Sequence, residues 1–416
     1  MKLDTMLLHA GQDPESTTCA VPIYQTAAYN FRDTEHAANL FSLKEAGNIY
    51  TRLMNPTTDV FEKRMTALEG GVGALAFASG HAAIAAVIWN LCKCGDEIVS
   101  SANLYGGTYN MFKNSLPHQG ITVHFAENCL YENFEKLITN KTKALFAETI
   151  GNPNINVCDI EKLADLAHKN GIPLIIDATF TPYVNRAIEF GADIVLHSAT
   201  KFIGGHGTSM GGVVIDAGKF NYDNGKFPLL SEPDPSYNGL KYVDLGPAAF
   251  ITRLRVQVMR DFGACLSPFN SFMFIQGLET LHLRMLRHCE NALFIAKRLS
   301  EHENVAWVNY PGLQTHPQHE LAKKYMPMGC GAILSFGIKG GRDAGRKFID
   351  SLKLVTHLAN VGDAKSLVIH PATTTHSQLN KQQLEAAGIT EDMIRMSIGI
   401  EDASDIWADM DNALKL

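Results

Sequence analysis

Between about Leu68 and Asp216, short apolar runs alternate with longer helix-like stretches. GALAFA, DEIVSS, ITVHFA, TKALFAET, IPLIID, ADIVLHS and GGVVID are interleaved with segments such as GHAAIAAVIWNLCK and IEKLADLAHKNG. Strands that are apolar on both faces, with helical segments between them, predict a mostly parallel sheet covered by helices, which is an α/β architecture. The chain ahead of this region, including HAGQDPESTTCAVPIYQTAAYNF, is rich in loop formers. It lacks the apolar period of an independent core, so residues 1–65 are expected to form an arm that packs on something else. Beyond Asp261, the Phe-, Leu- and Met-rich stretch SPFNSFMFIQGLETLHLRMLRHCENALFIAKRL reads as a long helix or a helix pair leaving the sheet. The remainder has GAILSFGI and MIRMSIGI as strand candidates around the helix candidate GRKFIDSL. The expected division is residues 1–65 as arm, 66–270 as α/β domain and 271–416 as a smaller C-terminal α+β domain.

At 416 residues and 46% hydrophobic, the chain exceeds what one core usually holds, which agrees with more than one domain. Its net charge of −7 comes from dispersed charges without a basic run. That argues against nucleic-acid and membrane-surface partners and for a small-molecule substrate. The opening MKLDTMLLHAGQDPE has no uninterrupted apolar core before a small-residue cleavage site, so a cytoplasmic protein is expected. Eight scattered cysteines in mostly apolar contexts suit reduced, buried thiols. Cys92 and Cys94 in CKCG have no second pair at zinc-ligand spacing, and no metal is expected.

In open α/β sheets, ligands bind beyond the carboxyl ends of the strands. IPLIID ends on Asp177, and ADIVLHS runs into Ser198, Thr200 and Lys201, which puts an acid and an amine on one rim. Taken alone, the pair is equally well a salt bridge. A third strand end changes the balance: GALAFA leads to Ser79-Gly80 and an Ala-rich helix, whose N-cap hydroxyl and free N–H groups suit a phosphate. An amine for an imine, a buried acid to keep a pyridine nitrogen protonated and an anion cradle are what pyridoxal phosphate requires. The glycines of GGHGTSMGG let the lysine loop turn sharply beside it. Neither a dinucleotide fingerprint nor a P-loop occurs.

DIVLHSATKFIGGHG and YTRLMNPTTDVFEKRMTALEGG resemble the Cys/Met-metabolism group of pyridoxal-phosphate enzymes of fold type I, and the likeness runs from LHAGQ to RMSIGIED. Within the group, SLVIHPATTTHSQL and the segment between Phe220 and Tyr242 are similar to O-acetylhomoserine sulfhydrylases. The resemblance implies pyridoxal phosphate as cofactor and replacement of the acetate of O-acetyl-L-homoserine by sulfide or methanethiol. A γ-lyase of the methionine type and a cystathionine-synthase type of activity remain alternatives. Position by position, it implies Lys201 as the imine-forming lysine and Asp177 as the acid on the ring nitrogen. It implies Ser79, Gly80, Ser198 and Thr200 around the phosphate, with His81 and Thr179 counted among the cofactor contacts. Tyr105 matches a tyrosine that stacks on the ring and assists proton transfer, and Asn152 a residue near the cofactor's phenolic oxygen. Arg395 matches the arginine for the substrate carboxylate, with Asn360 beside it. Tyr50 and Arg52 match residues that reach the phosphate of a neighbouring subunit, Tyr50 also touching substrate. This implies an obligate homo-oligomer, a tetramer built of active dimers. His370 and His376, flanking PATTT, lack an accompanying acid or thiol at ligand spacing.

Overall fold

The computed structural model describes residues 1–127, 129–374 and 388–416. All seven apolar runs form strands: β1 Gly73–Phe77, β2 Glu97–Ser101, β3 Thr122–Ala126, β4 Thr142–Glu148, β5 Leu174–Asp177, β6 Ile194–His197 and β7 Gly212–Asp216. They make one sheet in the order β1-β7-β6-β5-β4-β2-β3. The pairs from β6 to β3 are parallel. Every position of β4, β6 and β7 is buried, which is why these runs carry no polar alternation. Strand β7 is the exception to the parallel pattern, running antiparallel to both β1 and β6. The loop from Ser198 to Gly211 that precedes it contains no crossover helix, so the chain turns back beside the strand it has just left.

The Phe- and Leu-rich stretch forms the helix pair Pro268–Glu279 and Leu281–Glu301. A second, five-stranded sheet follows, from β8 Val305–Asn309, β9 Ile333–Ile338, β10 Thr356–His357, β11 Leu367–Ile369 and β12 Met393–Ser397, in the order β10-β11-β12-β9-β8. Buried residues of both sheets, such as Ile175 and Phe336, belong to one continuous apolar core.

Near the N-terminus, the helix Pro56–Glu69 starts with Asn55 accepting the Thr57 N–H and stops at Gly70, whose φ of 79° is in the left-handed region. The helix runs through position 65 and packs its buried face on the sheet. Ahead of it, Leu7 is buried and Asp4 accepts the Tyr183 hydroxyl, whereas Ile23, Tyr24, Phe31, Phe41, Leu43 and Tyr50 stand exposed. The segment from Phe220 to Tyr242 buries Tyr222, Phe227 and Tyr242. Tyr222 stacks on Phe250 with ring centroids 5.7 Å apart. Among the described residues, no helix is long and apolar enough to cross a membrane.

Candidate active site

A cavity of about 290 Å³ opens at the carboxyl ends of β4, β5 and β6 and is closed from the other side by Ala359–Val361 and β12. A larger hollow of about 990 Å³ lies under the N-terminal segment. Of its charged lining residues, Arg255 pairs with Glu62, Lys63 with Asp59 and Glu45 with Arg32. The smaller cavity is where the sequence placed its strand-end groups.

Ser79, Gly80, His81, Tyr105, Asn152, Asp177, Thr179, Ser198, Thr200, Lys201, Asn360 and Arg395 all line it. The salt-bridge reading of the strand-end pair is not realised: among the described residues, Lys201 and Asp177 form no ion pair. Instead Lys201 Nζ donates to Asn360 Oδ1 at 2.6 Å. Burial, and then the positive charge of Arg395, pull the amine down to about 8. Asp177 ends β5 and accepts the Thr179 N–H at 3.0 Å, while Thr179 Oγ1 accepts the Ser198 N–H at 2.8 Å and ties two strand ends together. Burial raises the Asp177 carboxyl, against the lowering effect of the Thr179 bonds. A buried acid without a strong cationic partner is stabilised by a cation brought to it, and a protonated pyridine nitrogen is one.

The anion cradle has a steric signature. Ser79 caps the helix Gly80–Leu91 by accepting the Ala82 N–H at 3.1 Å, and the first turn carries no acid. A Cβ on Gly80 would lie 2.9 Å from Ser198 Cβ, and one on Gly212 would lie 2.3 Å from the Ser79 carbonyl oxygen. The helix start, Ser198 and β7 therefore approach as closely as glycine allows, leaving backbone N–H groups at the surface of the cavity. Thr200 is partly committed: its hydroxyl accepts the Gly211 N–H at 3.0 Å and donates to the Gly211 carbonyl at 3.2 Å. These donors, with Lys201 and Asp177, fit pyridoxal phosphate.

Arg395 is buried on β12 and donates to Asn152 Oδ1 at 3.1 Å. It has no carboxylate partner among the described residues, and burial lowers its guanidinium to about 10. Asn152 thus stands in the cavity with its side-chain oxygen turned to Arg395. Tyr105 is half-exposed, with its ring centroid 5.5 Å from that of His81. Tyr50 and Arg52 line no part of this cavity; both are exposed, with the Arg52 guanidinium 5.3 Å from the Tyr50 ring centroid. His370 bonds Thr373 Oγ1 and the Glu391 carbonyl, each at 2.9 Å, and His376 lies outside the described residues.

One charged lining residue escaped the sequence reading. Glu148 ends β4 in register with Asp177, so both side chains leave the sheet on the same face. Its carboxyl is held well above the usual range by burial first and by Asp177 second. The signal was present in TKALFAET, an apolar run ending on an acid at the same rim.

Comparison with known proteins agrees with this geometry. The family model of the Cys/Met metabolism PLP-dependent enzymes matches residues 4–415. The chain is 52% identical to the O-acetyl-L-homoserine sulfhydrylase of Leptospira meyeri, over 100% of this chain and 97% of that one. It is 51% identical to the homocysteine synthase of Schizosaccharomyces pombe, over 99% and 98%. The fold superposes with a TM-score of 0.97 and 38% identity, over 100% of both chains, on a crystal structure of a putative O-acetylhomoserine (thiol)-lyase from Campylobacter jejuni that contains a pyridoxyl-lysine monophosphate. The expected α/β fold of type I and the expected cofactor class both hold, and the chain belongs to the Cys/Met metabolism PLP-dependent enzymes.

Proposed function

We propose that the protein replaces the acetate of O-acetyl-L-homoserine with sulfide, giving L-homocysteine and acetate. The observation that carries this reading is Arg395, a buried cation with no acid partner among the described residues, facing a cavity that also holds a lysine amine depressed to about 8. An amino-acid carboxylate satisfies the arginine, and the amine is the proton carrier the reaction needs. The choice of ester and nucleophile within the family rests on the relatives of about 50% identity, which bear sulfhydrylase and homocysteine synthase names.

Pyridoxal phosphate, when bound, supplies an electron sink for the charge left on a carbon next to the substrate nitrogen. Asp177 would face the ring nitrogen and keep it protonated. Ser79, Gly80, Ser198 and Thr200 would hold the phosphate, with backbone N–H groups of the helix start. Arg395 and Asn360 orient the substrate carboxylate. Lys201 Nζ would take the α-proton and hand it on to the bound cofactor, which leaves the amine neutral again to take the β-proton whose loss expels acetate from the γ-carbon. After sulfide has bonded there, the same two transfers would run in reverse, since the lysine's flexible stem serves several carbons in turn. His81 and Tyr105 line the cavity, where the Tyr105 ring would stack on the cofactor.

We assign Tyr50 and Arg52 to the cavity of a second copy of this chain, since they stand away from their own. The protein then works as an oligomer in the cytoplasm, with residues 1–65 as the contributing arm, 66–270 holding the cofactor and 271–416 closing the site.

Product analysis of the purified enzyme with O-acetyl-L-homoserine tests this. Homocysteine that appears only with sulfide is the expected outcome. Release of 2-oxobutyrate and ammonia as the main products with sulfide present would replace the reading with a γ-lyase.

A further inference from the structure

Glu148 is surplus to the chemistry described above. The cofactor has one ring nitrogen and Asp177 takes it, yet a second carboxyl stands in register beside it, 7% exposed. Burying an acid next to another acid is costly, and the cost persists only where the group does something its neighbour does not. What Glu148 does is visible in its one described hydrogen bond: Oε1 accepts the backbone N–H of Tyr105 at 2.7 Å.

Tyr105 needs such a tether. It stands at the N-cap of the short helix Gly106–Asn110 and makes no side-chain capping bond. Its side chain is 47% exposed, so packing does not hold the ring. The loop passes close to both rings: a Cβ on Gly107 would lie 2.6 Å from His81 Cε1 and 2.7 Å from Tyr105 Cε1. The bond to Glu148 links this loop directly to the end of a strand buried at every position.

We propose that Glu148 is a positioning residue that fixes the Tyr105 backbone to the end of β4 and so places the tyrosine ring on the cofactor. This rests on the reading of the cavity as a pyridoxal-phosphate site. A carboxyl oxygen accepts this N–H whether or not the acid is ionised, and a bond of 2.7 Å to the end of a buried strand suits a loop that has to stay in place while substrates exchange.

The test compares wild type, Glu148→Met, Glu148→Gln, Tyr105→Ala and the double variant E148M/Y105A. The readouts are the dissociation constant of pyridoxal phosphate by equilibrium dialysis and the visible circular dichroism of the bound cofactor. The methionine keeps the volume and removes the acceptor, and it should weaken cofactor binding on the order of tenfold. It should also move the dichroism to that of Y105A. Glutamine, which keeps an acceptor oxygen, should restore the affinity to within about twofold. Since both changes act through one ring, the double variant should bind no more weakly than Y105A. Wild-type affinity and dichroism in E148M, or penalties that add in the double variant, would overturn the proposal. If E148M does not fold, Glu148→Asp, which withdraws the acceptor by one carbon, takes its place with the same expected direction; wild-type values there overturn it equally. A wild-type protein that fails to bind the cofactor would overturn the underlying reading and this inference with it.

Discussion

Lys201 has an amine near 8 because it is buried and because Arg395 stands close to it. An amine is a nucleophile and a base only when neutral, and the ordinary value for this group is 10.5. Lowering it makes the neutral form abundant at lower pH. The rate at which the apoprotein captures pyridoxal phosphate should therefore climb with pH and level off through an inflection near 8. Stopped-flow absorbance across pH 6 to about 11 measures this, and an inflection at the ordinary lysine value would contradict the assigned environment. Residues of this kind are legible in a sequence when a polar group ends an apolar run. Lys201 and Asp177 were found that way, and Glu148 carried the same signature. The pairing of Arg395 with Asn152 spans 243 positions, and the Lys201 bond to Asn360 spans 159. No local pattern encodes contacts that distant; the resemblance nominated the residues, and the fold supplied their partners.

Among the elements, β4, β6 and β7 are readable because strands buried on both faces carry no polar alternation, whereas the edge strand β3 is buried only at Ala126. The reversed direction of β7 is not readable, since hydrophobicity says nothing of strand polarity; the direction follows from the loop before it. Strands β10 and β11 have two and three residues, too few to carry a period, and β8 is buried at one position out of five, so its run resembles surface. The segment Phe220–Tyr242 had pointed to the sulfhydrylase branch. It contributes no residue to the cavity wall; its Tyr222 stacks on Phe250 and meets Phe227 edge-on, with ring centroids 5.4 Å apart. Lys143 Nζ donates to the Lys226 carbonyl at 2.6 Å and fastens the segment to β4. The Ser79–Gly80 helix start, packed against Gly212, shapes the cavity directly.

For the whole molecule, the site exists only where two sheets meet, with Lys201 and Asp177 from the first, and Arg395 from the second beside Asn360 of its approaching loop. The N-terminal segment leaves a row of exposed apolar residues and an arginine that its own cavity does not use. If Arg52 serves the phosphate of another copy, Arg52→Ala should weaken cofactor binding about tenfold while leaving the far-ultraviolet circular dichroism unchanged. An unchanged affinity would remove that role. The central claim is that this architecture brings one lysine to the cofactor. Borohydride reduction of the cofactor-loaded protein, followed by peptide mapping, tests it most directly. The expected product carries a phosphopyridoxyl group on Lys201 and on no other lysine; a label elsewhere, or none, would overturn the assignment.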